Sequence, residues 1–184
     1  MIGSLRGNVV EKSLTWVLLE VGGVGYKVFL SPSVLSDVRT EGETFLYIHD
    51  HIREDARDLY GFLTLGDLEL FQRLINISGI GPKAAANILS LGSEVVREAI
   101  LQGDVGRLSS APGVGKKTAQ KIVLELKGQL VDEATMPTGD VEVVEALQSL
   151  GYSAHDAREA LKSVSDGTKD VAMRVKEALR SLSR

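Results

Sequence analysis

The chain contains no cysteine. That excludes a disulfide framework and any thiolate-ligated metal or iron–sulfur site. Histidine is nearly as scarce, at three residues. His49 and His51 alternate along one apparent strand with Asp50 between them, and no further ligand pattern accompanies them or His155. We expect strand packing or solvent exposure for these rings, with no metal and no cofactor. No apolar run approaches the roughly 20 residues needed to cross a bilayer. The opening Met1-Ile2-Gly3-Ser4-Leu5-Arg6-Gly7 lacks the long apolar region of a signal peptide. A soluble, cytoplasmic protein without membrane association is expected. A nucleotide site is also missing. Gly113-Val114-Gly115-Lys116-Lys117-Thr118 approaches the phosphate loop G-x-x-x-x-G-K-[ST]. However, Ser110 stands five residues before Gly115, and Lys116 is followed by Lys117. Any ATP-driven step therefore belongs to another chain.

What the chain does have is one phrase written twice. Leu74-Ile75-Asn76-Ile77-Ser78-Gly79-Ile80-Gly81-Pro82-Lys83-Ala84-Ala85-Ala86 recurs as Leu108-Ser109-Ser110-Ala111-Pro112-Gly113-Val114-Gly115-Lys116-Lys117-Thr118-Ala119, shifted by 34 residues. Each copy reads as a short helix, a Gly-apolar-Gly turn and a longer helix with lysine in its first turn. Glycine supplies positive φ and lets a ligand approach the backbone. Ile80 and Val114 plug the turns into the core below. The helix that follows begins with free N–H groups and the positive end of its macrodipole, which suits an anion. Pro82 fits the first helical position. Lys83, Lys116 and Lys117 add full charges at the same spot. Thr118 completes the second site, and Ala84, Ala85, Ala86 and Ala119 allow close helix packing. Such a device grips phosphates and reads no base, so binding should be sequence-independent and strongly salt-dependent.

The net charge of −4 hides a division. Residues 1–63 carry 6 basic and 9 acidic side chains, residues 64–131 carry 8 and 6, and residues 132–184 carry 7 and 10. Only the segment with the repeated phrase is positive, and local charge is what speaks to partners.

Hydrophobic periodicity divides the chain in the same places. In residues 1–63, strands are predicted over 2–10, 14–21, 24–30, 44–52 and 59–63, with Gly22-Gly23 as a hairpin turn and 32–38 as a short helix or loop. Five short strands suit a small closed barrel of the OB type. Residues 64–131 switch to helical spacing: Leu68, Phe71, Leu74 and Ile75, then Val95, Val96, Ala99 and Ile100 behind a predicted N-cap at Ser93. Gly103-Asp104 ends that helix and caps the next, and Ile122, Val123, Leu126 and Leu130 form a last stripe. Residues 132–139, with Pro137 and Gly139, read as a flexible linker. Residues 140–184 read as a three-helix bundle, its helices capped by Asp140, by Ser153, and by Asp166 or Thr168. The fold class is thus multi-domain α+β. The bundle is acidic and lacks the Gly-x-Gly phrase, so a protein partner suits it better than DNA.

Met1–Gly7, Glu20-Val21-Gly22-Gly23-Val24-Gly25-Tyr26, Arg53-Glu54-Asp55-Ala56 and Leu59-Tyr60-Gly61-Phe62 resemble the RuvA family. These are Holliday-junction-binding subunits of the bacterial branch-migration complex. The resemblance runs through the whole chain, in the order OB-fold barrel, tandem helix-hairpin-helix domain, linker and UBA-like three-helix domain. It implies a non-catalytic protein that binds four-way junction DNA in recombination, DNA repair and the SOS response to DNA damage. It implies a homotetramer, or an octamer of two tetramers. A hexameric RuvB-type AAA+ ATPase would be recruited through residues 140–184, and a RuvC-type resolvase would be a further partner. Glu54 and Asp55 match the family's acidic pin. Two carboxylates at a hairpin tip repel phosphates, and a tetramer would place eight at its centre. Arg53 and Arg57 flank the pair as candidate strand guides.

Two rival readings have different chemistry. Helix-hairpin-helix units also occur in base-excision glycosylases and lyases. There a lysine beside the hairpin, here Lys117, works with a downstream carboxylate, here Glu125, Asp132 or Glu133. A pure protein adaptor built around the C-terminal bundle leaves the repeated lysine-bearing turns unexplained.

Overall fold

The computed structural model describes residues 1–135, 138–152, 154–164 and 170–182. Of residues 132–135, 138, 154 and 155 it describes the backbone alone. The chain forms two compact units, Met1–Gly128 and Gln129–Arg184. No helix among the described residues is long and apolar enough to cross a membrane.

The first unit opens with five strands: β1 Ser4–Lys12, β2 Trp16–Val21, β3 Val24–Phe29, β4 Glu43–Ile52 and β5 Arg57–Phe62. They close into a barrel in the order β1-β2-β3-β5-β4, with β4 returning to β1. Every pairing is antiparallel except β3 with β5, where Val28 lies opposite Leu59. Gly22 and Gly23 both adopt positive φ, 57° and 83°, the combination a two-residue type I′ hairpin requires. A bulge between Val9 and Glu11 breaks the β1–β2 register. Alternate residues of each strand point inward, and Val17, Leu19, Val28 and Leu46 are completely buried. Gly7 is required by close approach, because a Cβ there would sit 2.0 Å from the Glu20 carbonyl oxygen. The ambiguous stretch 32–38 is a helix, α1 Pro32–Asp37. The Ser31 hydroxyl accepts from Val34 N–H at its start, and proline fills its first turn.

The helical half follows as α2 Leu65–Asn76, α3 Pro82–Leu89, α4 Ser93–Gln102, α5 Val105–Leu108 and α6 Lys116–Thr135. Phe71 pegs α2 onto the barrel. Its ring, fully buried, lies 4.9 Å from Phe62, 5.4 Å from Tyr60 and 5.3 Å from His49. Arg97 of α4 donates to the Gly66 carbonyl at 2.7 Å and ties α4 to the start of α2. Asp104 caps α5 through Arg107 N–H, and Gly103 ends α4 in the left-handed conformation at φ 76°. The expected cap at Ser93 is corrected. Gly92 holds the N-cap position without a side-chain bond, and Ser93 is already helical.

In the second unit, α7 Thr138–Ser149, α8 Ala154–Lys162 and α9 Val171–Leu182 pack around Val143, Leu147, Ala157 and Ala178. Asp140 does not cap α7. It lies inside the first turn and pairs with Arg174 of α9. Ser153, Asp166 and Thr168 lie outside the described residues. Asp170 holds the cap of α9, accepting from Met173 N–H at 3.0 Å. The expected linker over 132–139 is also corrected in part. Backbone at 132–135 continues α6, and α7 begins at Thr138; residues 136 and 137 lie outside the described residues. Apolar periodicity reports a buried face rather than helicity itself. A polar run such as Asp132-Glu133-Ala134 therefore extends a helix without signalling it.

Candidate nucleic-acid interface

The two copies of the repeated phrase close their turns with matching backbone bonds. In the first, Ile80 N–H donates to the Ile77 carbonyl at 2.9 Å and Ala85 N–H to the Gly81 carbonyl at 3.0 Å. In the second, Val114 N–H donates to Ala111 at 3.1 Å and Ala119 N–H to Gly115 at 3.0 Å. Each partner is displaced by the same 34 positions. Ile80 and Val114 are buried, as are Ala85 and Ala119. The plug-and-close-packing roles expected of these side chains are therefore realised.

The glycines divide into two kinds. Gly79 and Gly113 take φ of 90° and 78°, a region open at little cost only to glycine. Gly81 has φ −88°, and Gly115 is not among the positive-φ glycines. The expected positive φ at these second glycines is corrected. A Cβ at Gly81 or Gly115 would meet nothing within 4 Å. The chain's own packing therefore does not demand glycine there. What glycine preserves is access from outside, because both positions are exposed.

That access leads to donors. Among the described residues, the N–H groups of Gly79, Gly81, Gly113 and Gly115 have no backbone acceptor. Gly81 is the N-cap of α3 and supplies no side-chain bond, so the first-turn amides of α3 stay open. Lys83, Lys116 and Lys117 are exposed, and Thr118 is half-exposed. Among the described residues these lysines have no ion-pair partner. Unspent amides, two helix N-termini and unpaired ammonium groups converge on two matching turns. Such an arrangement can accept an anion and has no base-reading group built into it.

The β4–β5 turn carries the second element. Arg53 N–H donates to the Ala56 carbonyl at 2.8 Å and closes the turn, leaving Glu54 and Asp55 exposed at its tip. The flanking arginines are turned inward onto the hairpin. Arg57 makes a two-pronged contact with Asp50 at 2.8 and 2.7 Å, and Arg53 meets Asp58 at 2.9 Å. Asp50 also accepts from Ile2 N–H at 2.8 Å. The Arg57 hydrogen bonds, aided by Ile2 N–H and opposed by desolvation, pull its carboxyl from an ordinary 3.8 to about 2. Asp50 is a residue that sequence reasoning passed over as a spacer between histidines. The available signal was a diagonal pair: Arg57 lies opposite Ile52, two residues along the strand from Asp50.

His49 and His51 pack with each other at 5.8 Å and join the aromatic cluster around Phe71 and Tyr60. Burial, and then the neighbouring His51, push the His49 imidazole below its ordinary value. His155 has no described side chain. Of the groups named for the glycosylase-like alternative, Glu125 pairs with Lys121 at 3.8 Å, and the side chains of Asp132 and Glu133 lie outside the described residues.

Comparison with known proteins matches the same three segments. Residues 1–61 match the model for the RuvA N terminal domain, residues 71–127 the SAM-like helix-hairpin-helix tandem, and residues 141–183 the RuvA C-terminal domain. Relatives named Holliday junction branch migration complex subunit RuvA align over essentially the full length. That of Laribacter hongkongensis (strain HLHK9) is 40% identical over 205 residues, covering 100% of both chains. That of Neisseria meningitidis serogroup C (strain 053442) is 41% identical over 193 residues, covering 99% of both. The chain belongs to the RuvA family. A third member, from Chloroflexus aurantiacus, is 40% identical over 190 residues, covering 98% of this chain and 97% of its own. Within this RuvA-family chain, the repeated turns lie inside the helix-hairpin-helix match, and Glu54 and Asp55 lie inside the N-terminal match.

Proposed function

We propose that this chain is the junction-binding subunit of a branch-migration complex, acting in recombination and DNA repair. It holds four-way DNA open without regard to sequence and performs no catalysis itself. One observation carries the reading: two turns with matching backbone bonds, each presenting glycine amides without a backbone acceptor beside lysines that have no ion-pair partner among the described residues. Phosphates of one DNA arm dock on the first turn, built of Gly79, Ile80, Gly81 and Lys83. They dock also on the second, built of Gly113, Val114, Gly115, Lys116, Lys117 and Thr118. Ile80 and Val114 anchor the turns rather than touch phosphate, their side chains being buried and their N–H groups bonded to the Ile77 and Ala111 carbonyls.

Glu54 and Asp55 act at the crossover. Four copies of the chain around a four-fold axis bring eight carboxylates together, and their field repels duplex phosphates from the centre. The Arg57–Asp50 and Arg53–Asp58 pairs hold the hairpin that carries them. In this division of labour, residues 1–63 provide the barrel and pin, and residues 64–131 provide the DNA grip. Residues 140–184 provide the contact for a RuvB-type hexameric ATPase, which supplies the energy. The face of the junction left open by one tetramer takes either a RuvC-type resolvase or a second tetramer. Relatives named as branch migration complex subunits support junction DNA and the motor as partners, and the acidic bundle suits a protein contact. The same DNA setting makes the cytoplasm the expected location.

A gel-shift titration with a four-way junction, with and without competitor duplex, tests the reading. Retention of the junction complex under excess duplex is expected. Equal affinity for junction and linear duplex would favour the adaptor reading, and strand scission of a damaged-base duplex would favour the glycosylase-like one.

A further inference from the structure

Two hydrogen bonds cross between the hairpins. Asn87 of α3 donates from Nδ2 to the Pro112 carbonyl at 2.9 Å, and Lys121 of α6 donates from Nζ to the Ser78 carbonyl at 2.6 Å. Asn87 and Lys121 are 34 positions apart, as are Ser78 and Pro112. The two bonds are therefore one bond made twice, in opposite directions across the internal repeat. Each donor stands one helical turn beyond a lysine of the anion site, Lys83 or Lys117. Each acceptor belongs to the peptide group whose N–H is that of Gly79 or Gly113. The side chains differ, one amide and one ammonium; what recurs is a donor aimed at that carbonyl.

We propose that Asn87 and Lys121 form a reciprocal latch that fixes the spacing of the two hairpins, so that they close on a DNA arm as one preformed clamp. The inference rests on the reading that the hairpins hold phosphates. Two hairpins free to move separately would have to be ordered on binding, and preorganisation removes that cost. The latch also acts on the donors themselves. A hydrogen bond to a peptide carbonyl polarises the same peptide's N–H, so the Gly79 and Gly113 amides become better phosphate donors. The ammonium of Lys121 makes the stronger, charge-assisted bond. With Ser78 on one side and Glu125 at 3.8 Å on the other, its charge serves the protein. Lys121 is a positioning residue rather than a phosphate contact.

The absence of cysteine gives a direct assay, because two engineered thiols can be labelled uniquely. Asn76→Cys and Ser110→Cys place spin labels at exposed, repeat-equivalent positions on the two hairpins. The distance between them is measured by electron spin resonance in protein diluted with unlabelled chain. The latched protein should give one narrow distance, and Asn87→Ala with Lys121→Met should broaden it. Each single variant should weaken four-way junction binding roughly two- to ten-fold with the salt slope of the parent, and Lys121→Arg should restore it. An unchanged distance distribution in the double variant would overturn the latch. So would a salt slope lowered by about one in Lys121→Met with Asn87→Ala silent, which would make Lys121 a phosphate contact. Lys83→Glu, run alongside, separates the two ideas: if it leaves junction affinity unchanged, the DNA reading fails, while the distance measurement still decides the latch.

Discussion

The second glycine of each hairpin separates what the fold needs from what a ligand needs. Consider Gly81→Ala combined with Gly115→Ala. Both methyl groups would enter open space, with no heavy atom within 4 Å, and φ at Gly81 is an ordinary −88°. Restricting the unfolded chain favours alanine by about 0.4–1 kcal/mol per site. Alanine is a poorer N-cap than glycine by about 0.5–1 kcal/mol, which offsets that gain. The melting temperature should therefore barely move. Binding should respond very differently. A methyl at each turn stands between phosphate and the open amides, and a hydrogen bond to a charged group contributes about 1.5–3 kcal/mol. Losing one bond at each of two turns removes about 3 kcal/mol at the low end, a factor of more than 100 in Kd. The contrast is Gly79→Ala, where φ is 90° and the side chain costs the fold about 1–2 kcal/mol. Fluorescence anisotropy with a labelled four-way junction, beside thermal unfolding followed by circular dichroism, provides both readouts. If the double variant is as stable as the parent and binds the junction equally well, phosphates do not approach these turns and the reasoning fails.

Three further outcomes are expected. If each lysine faces phosphate as proposed, Lys83→Glu or Lys117→Glu should weaken binding to arms of every sequence alike and flatten the log–log salt dependence; a loss confined to some sequences would point to base contacts. Glu54→Gln with Asp55→Asn should leave the melting temperature unchanged, both side chains being exposed and without a partner among the described residues, yet raise the affinity for linear duplex relative to junction in a competition assay. Asp50 gives a pH dependence. Its folded-state value is depressed from 3.8 to about 2, so its stabilisation is present above pH ~4 and lost as pH falls towards ~2; amide exchange in the β4–β5 hairpin should rise across that window, and Asp50→Asn should abolish the change.

The barrel and the two hairpins were legible in the sequence because they rest on strong local signals. Alternation gives β3 and β4 their inward faces, Gly22-Gly23 gives the turn between β2 and β3, and the doubled Gly-apolar-Gly phrase gives the site. What escaped depends on contacts between distant segments. Asp50 acquires its role only when β4–β5 pairing brings Arg57 to it and the chain's start brings Ile2. The inward turn of Arg53 and Arg57 likewise follows from partners on the paired strand. Capping misled where several polar residues cluster near a helix start: Ser93 yields to Gly92, and Asp140 serves Arg174 instead. The second glycines look like conformational requirements in sequence. Only the backbone reveals that their value is an unobstructed surface.

The central claim is that two amide-lined turns hold sugar–phosphate strands whatever the bases are. The most direct measurement is the salt dependence of affinity for several four-way junctions whose arms share no sequence. The account expects dissociation constants that agree within about two-fold at every salt concentration, together with one common, steep log–log slope. Affinities that diverge among junctions, or that stay flat as salt is raised, would contradict it.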